Sequence, residues 1–141
     1  MVTRIALLGS TGSIGRQTLE VVRANPDEFV VVGLAAGGNL ELFRQQVAEF
    51  HPALVNSPAI GHVAELTPAS WTPTSLVSLE EMVASPQVDL AVVATAGKVG
   101  LLPTLAAIRA GKQVALANKE ALVIAGELVM TEARAAGLEI R

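Results

Sequence analysis

The chain has 141 residues, of which 51% are hydrophobic and only 3% aromatic, and its formal net charge is −3 at pH 7. This composition excludes an intrinsically disordered chain, and the acidic balance argues against a nucleic-acid partner. No apolar run approaches the ~20 residues that span a bilayer, and no signal peptide precedes the first predicted strand. The sequence contains no cysteine, which excludes disulfides, cysteine nucleophiles and thiolate metal sites. A single cytoplasmic domain with no membrane partner is expected.

The first predicted unit is a strand, a glycine turn and a helix, between Arg4 and Ala24. The apolar run ends at Gly9, and Gly12 and Gly15 follow at a regular spacing. Gly9 permits the turn, Gly12 lets the backbone approach a phosphate, and Gly15 lets the helix pack against the strand. The first N–H groups of the helix then face an anion, aided by the helix dipole. The pattern predicts a dinucleotide site, and a packing turn without a ligand is the alternative.

Two hydroxyl side chains in this turn, Thr11 and Ser13, are expected to add hydrogen-bond donors. Ser13 is also a candidate for the helix N-cap. A P-loop NTPase is not indicated, because no Gly-Lys-Ser/Thr follows the loop. The helix behind the turn is expected to bury an apolar stripe, formed by Leu19, Val21, Val22 and Ala24.

A second buried strand is predicted over Phe29–Ala36, and it leads into the turn Gly37-Gly38-Asn39. Asn39 is a good N-cap for the helix that follows. An NAD-binding unit places Asp or Glu at the end of this strand to hold the ribose 2′-hydroxyl, whereas the first acid here is Glu41. A 2′-phosphate would not be repelled, so NADP is favoured over NAD. A turn with a cap and no ligand is the alternative. The helix stripe consists of Leu40, Phe43, Val47 and Phe50.

The rest of the chain continues to alternate between short apolar runs and helical stripes. This alternation predicts an α/β fold, a Rossmann-like doubly wound, mostly parallel sheet with helices on both faces. The two histidines, His51 and His62, lack a second ligand at metal-binding spacing and are interpreted as structural or surface residues. The further predicted elements are a short strand within His51–Val55, a strand at Leu76-Val77, a helix over Leu79–Val83, a strand over Val88–Ala94, a helix over Leu102–Ala110 and a strand over Gln113–Ala117.

Three polar residues, Asn118, Lys119 and Glu120, come directly after the last of these strands. Polar groups at such a position are costly unless they are solvated or satisfied. A cap followed by a surface ion pair would also explain them. A mostly apolar helix is predicted over Ala121–Ala136, and a new strand begins at Leu138. Because domain boundaries normally fall in exposed linkers, the chain is expected to be the N-terminal part of a longer enzyme.

Three segments together resemble one enzyme family, the 1-deoxy-D-xylulose 5-phosphate reductoisomerases. They are Gly9–Gly15, Gly100–Lys112 and Ala115–Val123. The glycine turn alone is shared with many dehydrogenases, but Ala-Asn-Lys-Glu after a Pro-Thr-Leu helix is close to diagnostic. The resemblance implies an NADPH-dependent oxidoreductase that rearranges a sugar phosphate and reduces the resulting aldehyde to 2-C-methyl-D-erythritol 4-phosphate. It also implies the non-mevalonate route of isoprene biosynthesis, Mg²⁺ or Mn²⁺ as metal, and a homodimer.

The resemblance also implies roles for individual residues. Lys119 would be catalytic and contact the substrate, and Asn118 and Glu120 would border the nicotinamide side of the cofactor. An ammonium group beside a developing alkoxide stabilises its charge. The cofactor pyrophosphate would be held by Thr11, Gly12, Ser13 and Ile14. The adenosine ribose with its 2′-phosphate would be held by Gly37, Gly38 and Asn39.

The sequence departs from the family pattern at two places. Gly38 stands where many relatives carry Lys, Arg or Ser, which weakens the expected hold on a 2′-phosphate. The metal-binding Asp-Ser-Glu segment of the family would follow Arg141, so residues 1–141 are expected to bind cofactor without turnover. Two alternatives stay open. One is a different NAD(P)-linked reductase of the dihydrodipicolinate or homoserine type, and the other is a non-catalytic nucleotide-sensing module.

Overall fold

The structure, a computed structural model, describes residues 2–58, 74–95 and 97–117, together with Arg134 and Gly137. A six-stranded sheet runs through it in the order β4-β3-β2-β1-β5-β6, and every pairing is parallel. The strands are β1 (Thr3–Leu8), β2 (Phe29–Ala35), β3 (Leu54–Asn56), β4 (Ser75–Leu76), β5 (Leu90–Val93) and β6 (Gln113–Leu116). The helices are α1 (Ser13–Ala24), α2 (Leu40–Phe50), α3 (Leu79–Ala84) and α4 (Leu101–Arg109), and a 3-10 turn over Gly97–Gly100 precedes α4.

The strand order reverses at β1, since β2 lies on one side of it and β5 on the other. Each face of the sheet has its own hydrophobic core. Helices α1 and α2 cover one face, and α3 and α4 cover the other. The doubly wound parallel sheet predicted from the sequence is therefore confirmed. The helical residues buried in the two cores are Leu19, Val22, Phe43 and Val47 on the first face, and Met82, Val83, Leu105, Ala107 and Ile108 on the second.

Strand β1 is buried on both of its faces, which explains its continuous apolar sequence. Ile5 and Leu7 point into the core under α1 and α2, whereas Ala6 and Leu8 point into the core under α3 and α4. Leu7 and Leu8 have no exposed surface at all. Full burial of one such leucine is worth roughly 1.5–3 kcal/mol, so the central strand is a main source of stability.

The pairing of β1 with β2 shifts by one residue in mid-strand. Ile5 pairs with Val31, but Ala6 pairs with Gly33, so Val32 is an extra residue in β2. Val31 packs in the core under α1 and α2, while Val32 and a side chain placed at Gly33 both meet the core that contains Met82. The shift is a β-bulge, which increases local twist and re-aims the residues beyond it.

Ion pairs between described residues tie the elements together at the surface. Arg4, at the start of β1, makes a two-pronged contact with Asp89 before β5, with nitrogen–oxygen distances of 2.9 and 3.1 Å. These hydrogen bonds lower the pKa of Asp89 to about 2. Arg23 of α1 donates to Glu49 of α2 at 2.7 Å, which lowers the pKa of Glu49, and it also lies 5.3 Å from the centre of the Phe50 ring.

Most predicted strands and helices are confirmed in the described residues, with small shifts at their ends. The apolar stripe predicted for α1 was partly wrong. Leu19 and Val22 are buried, but Val21 is 52% exposed and Ala24 is exposed. The buried side of the helix consists of Gly15, Leu19 and Val22. The helix over Ala121–Ala136 and the strand from Leu138 lie outside the described residues. Among the helices that the structure does describe, none is long and apolar enough to span a membrane.

Candidate functional site

A cleft of about 410 Å³ opens at the carboxyl ends of β1, β2 and β5, where the strand order reverses. In open parallel sheets, ligands bind in the crevice at this switch point. None of the described residues around the cleft carries a charge. They are Gly9, Thr11, Gly12, Ala35, Ala36, Gly37, Asn56, Pro58, Leu79, Ala94, Thr95 and Val99.

Two glycines of the first turn allow backbone segments to approach each other closely. Gly9 has a φ of 88°, and a Cβ there would lie 2.6 Å from the carbonyl oxygen of Ala94 at the end of β5. At Gly15 a Cβ would collide with the Gly9 carbonyl and come within 2.8 Å of the Ser10 Cα. A side chain at either position would push α1 or β5 away from the turn. The roles predicted for these glycines in turning and packing are confirmed.

Gly12 is different, because its surroundings are open. Among the described residues, the atom near a Cβ placed there is the Gly9 carbonyl oxygen, at an ordinary contact distance of 3.6 Å. Gly12 is exposed and lines the cleft. The fold itself therefore does not require a glycine here, whereas a bulky anion approaching the backbone would.

The N-terminus of α1 has no capping side chain. Its N-cap is Gly12, with φ −77° and ψ 175°, and no acid lies in the first turn. The prediction that Ser13 caps the helix was wrong, since Gly12 has the extended backbone of an N-cap and its carbonyl accepts the Arg16 N–H at 2.9 Å. Ser13 and Ile14 are exposed in the first turn. Their N–H groups have no partner inside the helix and are available to an anion.

The second turn, at the end of β2, also has space around it. No atom of the described residues lies within 4 Å of a Cβ placed at Gly37 or Gly38. Asn39 caps α2 as predicted, its side-chain oxygen accepting the Leu42 N–H at 3.3 Å. The Ser57 hydroxyl donates to the Gly37 carbonyl at 3.0 Å and so holds the turn beside the end of β3.

Gln46 of α2 is a site residue that the sequence reasoning missed. It is only 3% exposed, and its Nε2 donates to the Ser10 carbonyl in the glycine turn at 2.8 Å. A signal was present, because position 46 follows Phe43 by three residues and precedes Val47 on the buried side of the helix. A polar residue inside an apolar stripe requires a hydrogen-bond partner.

Thr95, at the end of β5, was also missed. It lines the cleft, and its hydroxyl oxygen is buried with no partner among the described residues. Asn56 lines the cleft from the end of β3, and its side-chain amide donates to the Val77 carbonyl at 2.6 Å. Asn56 ends a strand that is otherwise apolar and Thr95 comes shortly after an apolar strand, and periodicity does not reveal which polar side chain turns inward there.

The predicted residues Asn118, Lys119 and Glu120 lie outside the described residues. The described chain reaches Ala117, whose N–H donates to the Val93 carbonyl at 2.9 Å at the carboxyl end of β5. Within the described ranges, the structure contains no group of three or more His, Asp or Glu side chains placed to hold a metal.

Three features define a Rossmann-like fold, the class that binds dinucleotides at this crevice. They are the parallel sheet whose strand order reverses at β1, the glycine turn after β1, and the helix α1 that begins without a side-chain cap. A family model described as 1-deoxy-D-xylulose 5-phosphate reductoisomerase matches residues 5–126. The chain therefore belongs to the 1-deoxy-D-xylulose 5-phosphate reductoisomerase family.

Curated relatives with that name extend well beyond this chain. The chain is 45% identical over 142 residues to the enzyme of Geotalea uraniireducens, covering 97% of this chain and 37% of the relative. It is 49% identical over 132 residues to that of Pelotomaculum thermopropionicum, covering 89% of this chain and 34% of the relative. The chain thus spans about a third of the length of these relatives.

Solved structures agree with this assignment. The reductoisomerase from Zymomonas mobilis in complex with NADPH has a TM-score of 0.86 and 32% identity, covering 99% of this chain and 38% of its own. A reductoisomerase complex with NADPH, fosmidomycin and magnesium has a TM-score of 0.89 and 34% identity, covering 99% of this chain and 36% of its own. A homoserine dehydrogenase from Thiobacillus denitrificans is 23% identical, with a TM-score of 0.71. The match covers 99% of this chain and 29% of the dehydrogenase chain, and it shows a shared fold alone.

Proposed function

We propose that this chain is the NADPH-binding part of an enzyme that converts 1-deoxy-D-xylulose 5-phosphate to 2-C-methyl-D-erythritol 4-phosphate for isoprenoid synthesis. Family membership supports the reaction, and the cleft at the switch point supports the role of this part. Residues 1–141 would form the N-terminal dinucleotide-binding domain. The metal-binding and C-terminal domains would belong to the remaining length of the relatives.

The uncapped N-terminus of α1 is the observation that carries the proposal. A helix of this length presents free N–H groups and a partial positive charge at its start, and α1 offsets them with neither a side-chain cap nor an acid. Gly12 leaves room for a diphosphate against the backbone. Thr11, Gly12, Ser13 and Ile14 would therefore hold the pyrophosphate of the dinucleotide.

The turn after β2 would hold the adenosine ribose and its 2′-phosphate. Gly37 and Gly38 are exposed with open space around them, and Asn39 stands at the N-terminus of α2. No acid precedes Glu41 in this turn, so a 2′-phosphate meets little repulsion. NADPH is accordingly the proposed cofactor rather than NADH.

The nicotinamide end is proposed on the resemblance alone. Asn118 and Glu120 would border the nicotinamide, and Lys119 would contact the sugar phosphate and stabilise negative charge on its oxygen. Bound NADPH supplies a hydride for reduction of an aldehyde. The described residues offer no cluster that fits a metal, so Mg²⁺ or Mn²⁺ is assigned to none of them. A cytoplasmic homodimer without nucleic-acid or membrane partners is the proposed setting.

Calorimetric titration of the natural gene product with NADPH and NADH tests the cofactor assignment. We expect tighter binding of NADPH. Ser13→Glu should weaken NADPH binding by about tenfold or more, because its carboxylate would lie at the helix N-terminus and repel the diphosphate. The same substitution should leave thermal stability unchanged or slightly raised, since an acid at this position favours the helix.

Gln17→Glu is the matched control, because it adds the same charge to the same exposed helix one turn further along. It should leave NADPH affinity within about twofold of wild type, since the dipole effect fades within the first turn. Equal affinity in Ser13→Glu and wild type, or no nucleotide binding by wild type, contradicts the proposal. Turnover by residues 1–141 alone would contradict the placement of the metal-binding part elsewhere.

A further inference from the structure

The glycine turn is held by backbone hydrogen bonds that leave the amide of Thr11 unused among the described residues. The N–H groups of Gly9 and Ser10 both donate to the Ala35 carbonyl, at 2.8 and 2.9 Å, and the Gly12 N–H donates to the Gly9 carbonyl at 3.2 Å. The Thr11 N–H has no acceptor among the described residues. Thr11 itself lines the cleft.

The side chain of Gln46 fixes the peptide group that contains this amide. Its Nε2 donates to the Ser10 carbonyl at 2.8 Å, across 36 positions of sequence. A peptide bond is planar, and none of the peptide bonds among the described residues is cis, so the Thr11 N–H points opposite to the Ser10 C=O. With the carbonyl held toward α2, the N–H is directed away from α2.

Removal of the Gln46 amide would take away the side-chain donor to the Ser10 carbonyl. Ser10 has no exposed surface, so water does not reach its carbonyl freely if the amide is removed. The other polar atom of the amide, Oε1, is buried with no partner among the described residues, as is the Ser10 hydroxyl oxygen. The contact with the Ser10 carbonyl is therefore what orients Gln46 and the turn toward each other.

We propose that Gln46 is a positioning residue that aims the Thr11 N–H into the cleft as a donor to the diphosphate of a dinucleotide. This inference rests on the proposed function. Gln46 would act on the ligand through the Ser10–Thr11 peptide and make no contact with it. Because it lies on α2, it also couples the pyrophosphate turn to the helix that begins at the second turn.

Gln46→Met tests the inference, since methionine has a similar volume and cannot donate. Gln45→Met, at the exposed neighbouring position, is the matched control. We expect Gln46→Met to weaken NADPH binding by about tenfold, as the loss of one oriented donor to a charged group predicts, and the control to change it less than about twofold. Adenosine 2′-monophosphate, which has no pyrophosphate, should bind both variants like wild type.

The outcomes separate the inference from the proposed function. Failure of wild type to bind NADPH overturns both. Normal NADPH binding in Gln46→Met overturns the positioning role alone. An equal loss of NADPH and adenosine 2′-monophosphate also overturns it, because a general collapse of α2 would then explain the result.

A second measurement needs no variant and covers the case in which Gln46→Met does not fold. Wild-type protein labelled with ¹⁵N-threonine would be titrated with inorganic pyrophosphate, and the threonine amide signals followed by NMR. The Thr11 signal should move, while that of Thr3 should not, because the Thr3 N–H donates to Glu28 at the opposite end of β1. A stationary Thr11 signal alongside pyrophosphate binding overturns the inference.

Discussion

The two edges of the sheet treat their polar groups in opposite ways. At the amino edge, Arg4 and Asp89 satisfy each other through side chains and backbone, with contacts of 2.9 to 3.1 Å. At the carboxyl edge, the described cleft residues are uncharged, the Thr11 N–H is unused and α1 begins without a cap. At the amino edge Arg4 and Asp89 are partners for each other, whereas the carboxyl edge presents backbone donors that have no partner among the described residues and that can donate to an anion.

This difference shows how one strand can serve stability and binding without conflict. Strand β1 starts beside the Arg4–Asp89 ion pair and leads directly into Gly9, only five positions after Arg4. Substitutions at the two ends should therefore have different signatures. Changes near Gly9 should affect the ligand, the fold or both, and changes near Arg4 should affect the fold alone.

The largest effect is expected from Gly9→Ala. The new Cβ would face the Ala94 carbonyl at 2.6 Å in a residue whose φ is 88°. Backbone strain and the clash together should cost about 2–4 kcal/mol of unfolding free energy and abolish NADPH binding. Gly111→Ala is the control, since its φ is 78° but no atom of the described residues lies within 4 Å of a Cβ placed there. Denaturant unfolding showing equal losses in both variants would contradict the clash at Gly9.

Gly12→Ala should separate binding from folding. Its Cβ has room in the free protein and its φ of −77° suits any residue, so the stability loss should stay below about 1 kcal/mol. NADPH affinity, measured by calorimetry, should fall by about tenfold or more, because the methyl group would occupy the path of the diphosphate. Unchanged affinity would show that the diphosphate does not approach this backbone.

Gly38→Arg should increase discrimination between the two nicotinamide cofactors. The position is exposed and open, and a guanidinium there can pair with a 2′-phosphate. NADPH affinity should rise about two- to fivefold and NADH affinity should stay the same, with the gain shrinking in high salt. Gln45→Arg places the same charge further along α2 and should give no such discrimination. An equal gain for both cofactors would contradict a 2′-phosphate site in this turn.

The smallest effect is expected at the amino edge, from pH. Arg4 holds the pKa of Asp89 at about 2, below its ordinary value of 3.8. The pair therefore stabilises the folded protein fully above pH 4 or so, and this contribution is lost as the pH falls toward 2. Asp89→Asn should remove that pH dependence and leave NADPH affinity unchanged. Thermal unfolding curves that differ equally between wild type and variant at every pH would contradict this account.

The sequence was sufficient to predict the sheet, its helices and the position of the glycine turn. Each of these depends on local signals, such as the apolar run before Gly9 or the Asn39 cap. The close approach at Gly15 was likewise predictable, because only glycine permits a helix to lie against a turn so tightly.

Other features depend on contacts between distant residues and were not predictable in this way. Gln46 donates a hydrogen bond to the carbonyl of Ser10, which lies 36 positions earlier in the chain, and the residues next to Gln46 in the sequence do not identify this partner. Ser13 was predicted as the N-cap of α1 because hydroxyl residues favour that position. In the structure the N-cap lies one residue earlier, at Gly12, which has the extended backbone of a cap. Asn118, Lys119 and Glu120 remain predictions.

The bulge in β2 also has a consequence for the permitted length of the chain. The residues before it pair with β1 in one register and those after it in another, and Val30, Val31 and Val32 are identical side chains. A chain with two valines in place of three would keep Phe29 opposite Thr3 and Gly33 opposite Ala6, with every side chain on its present face. Removing Gly33 instead would keep this register but place Val32 opposite Ala6, where a Cβ would lie 2.9 Å from the Met82 side chain. The loss of one valine would therefore leave both turns of the cleft in place.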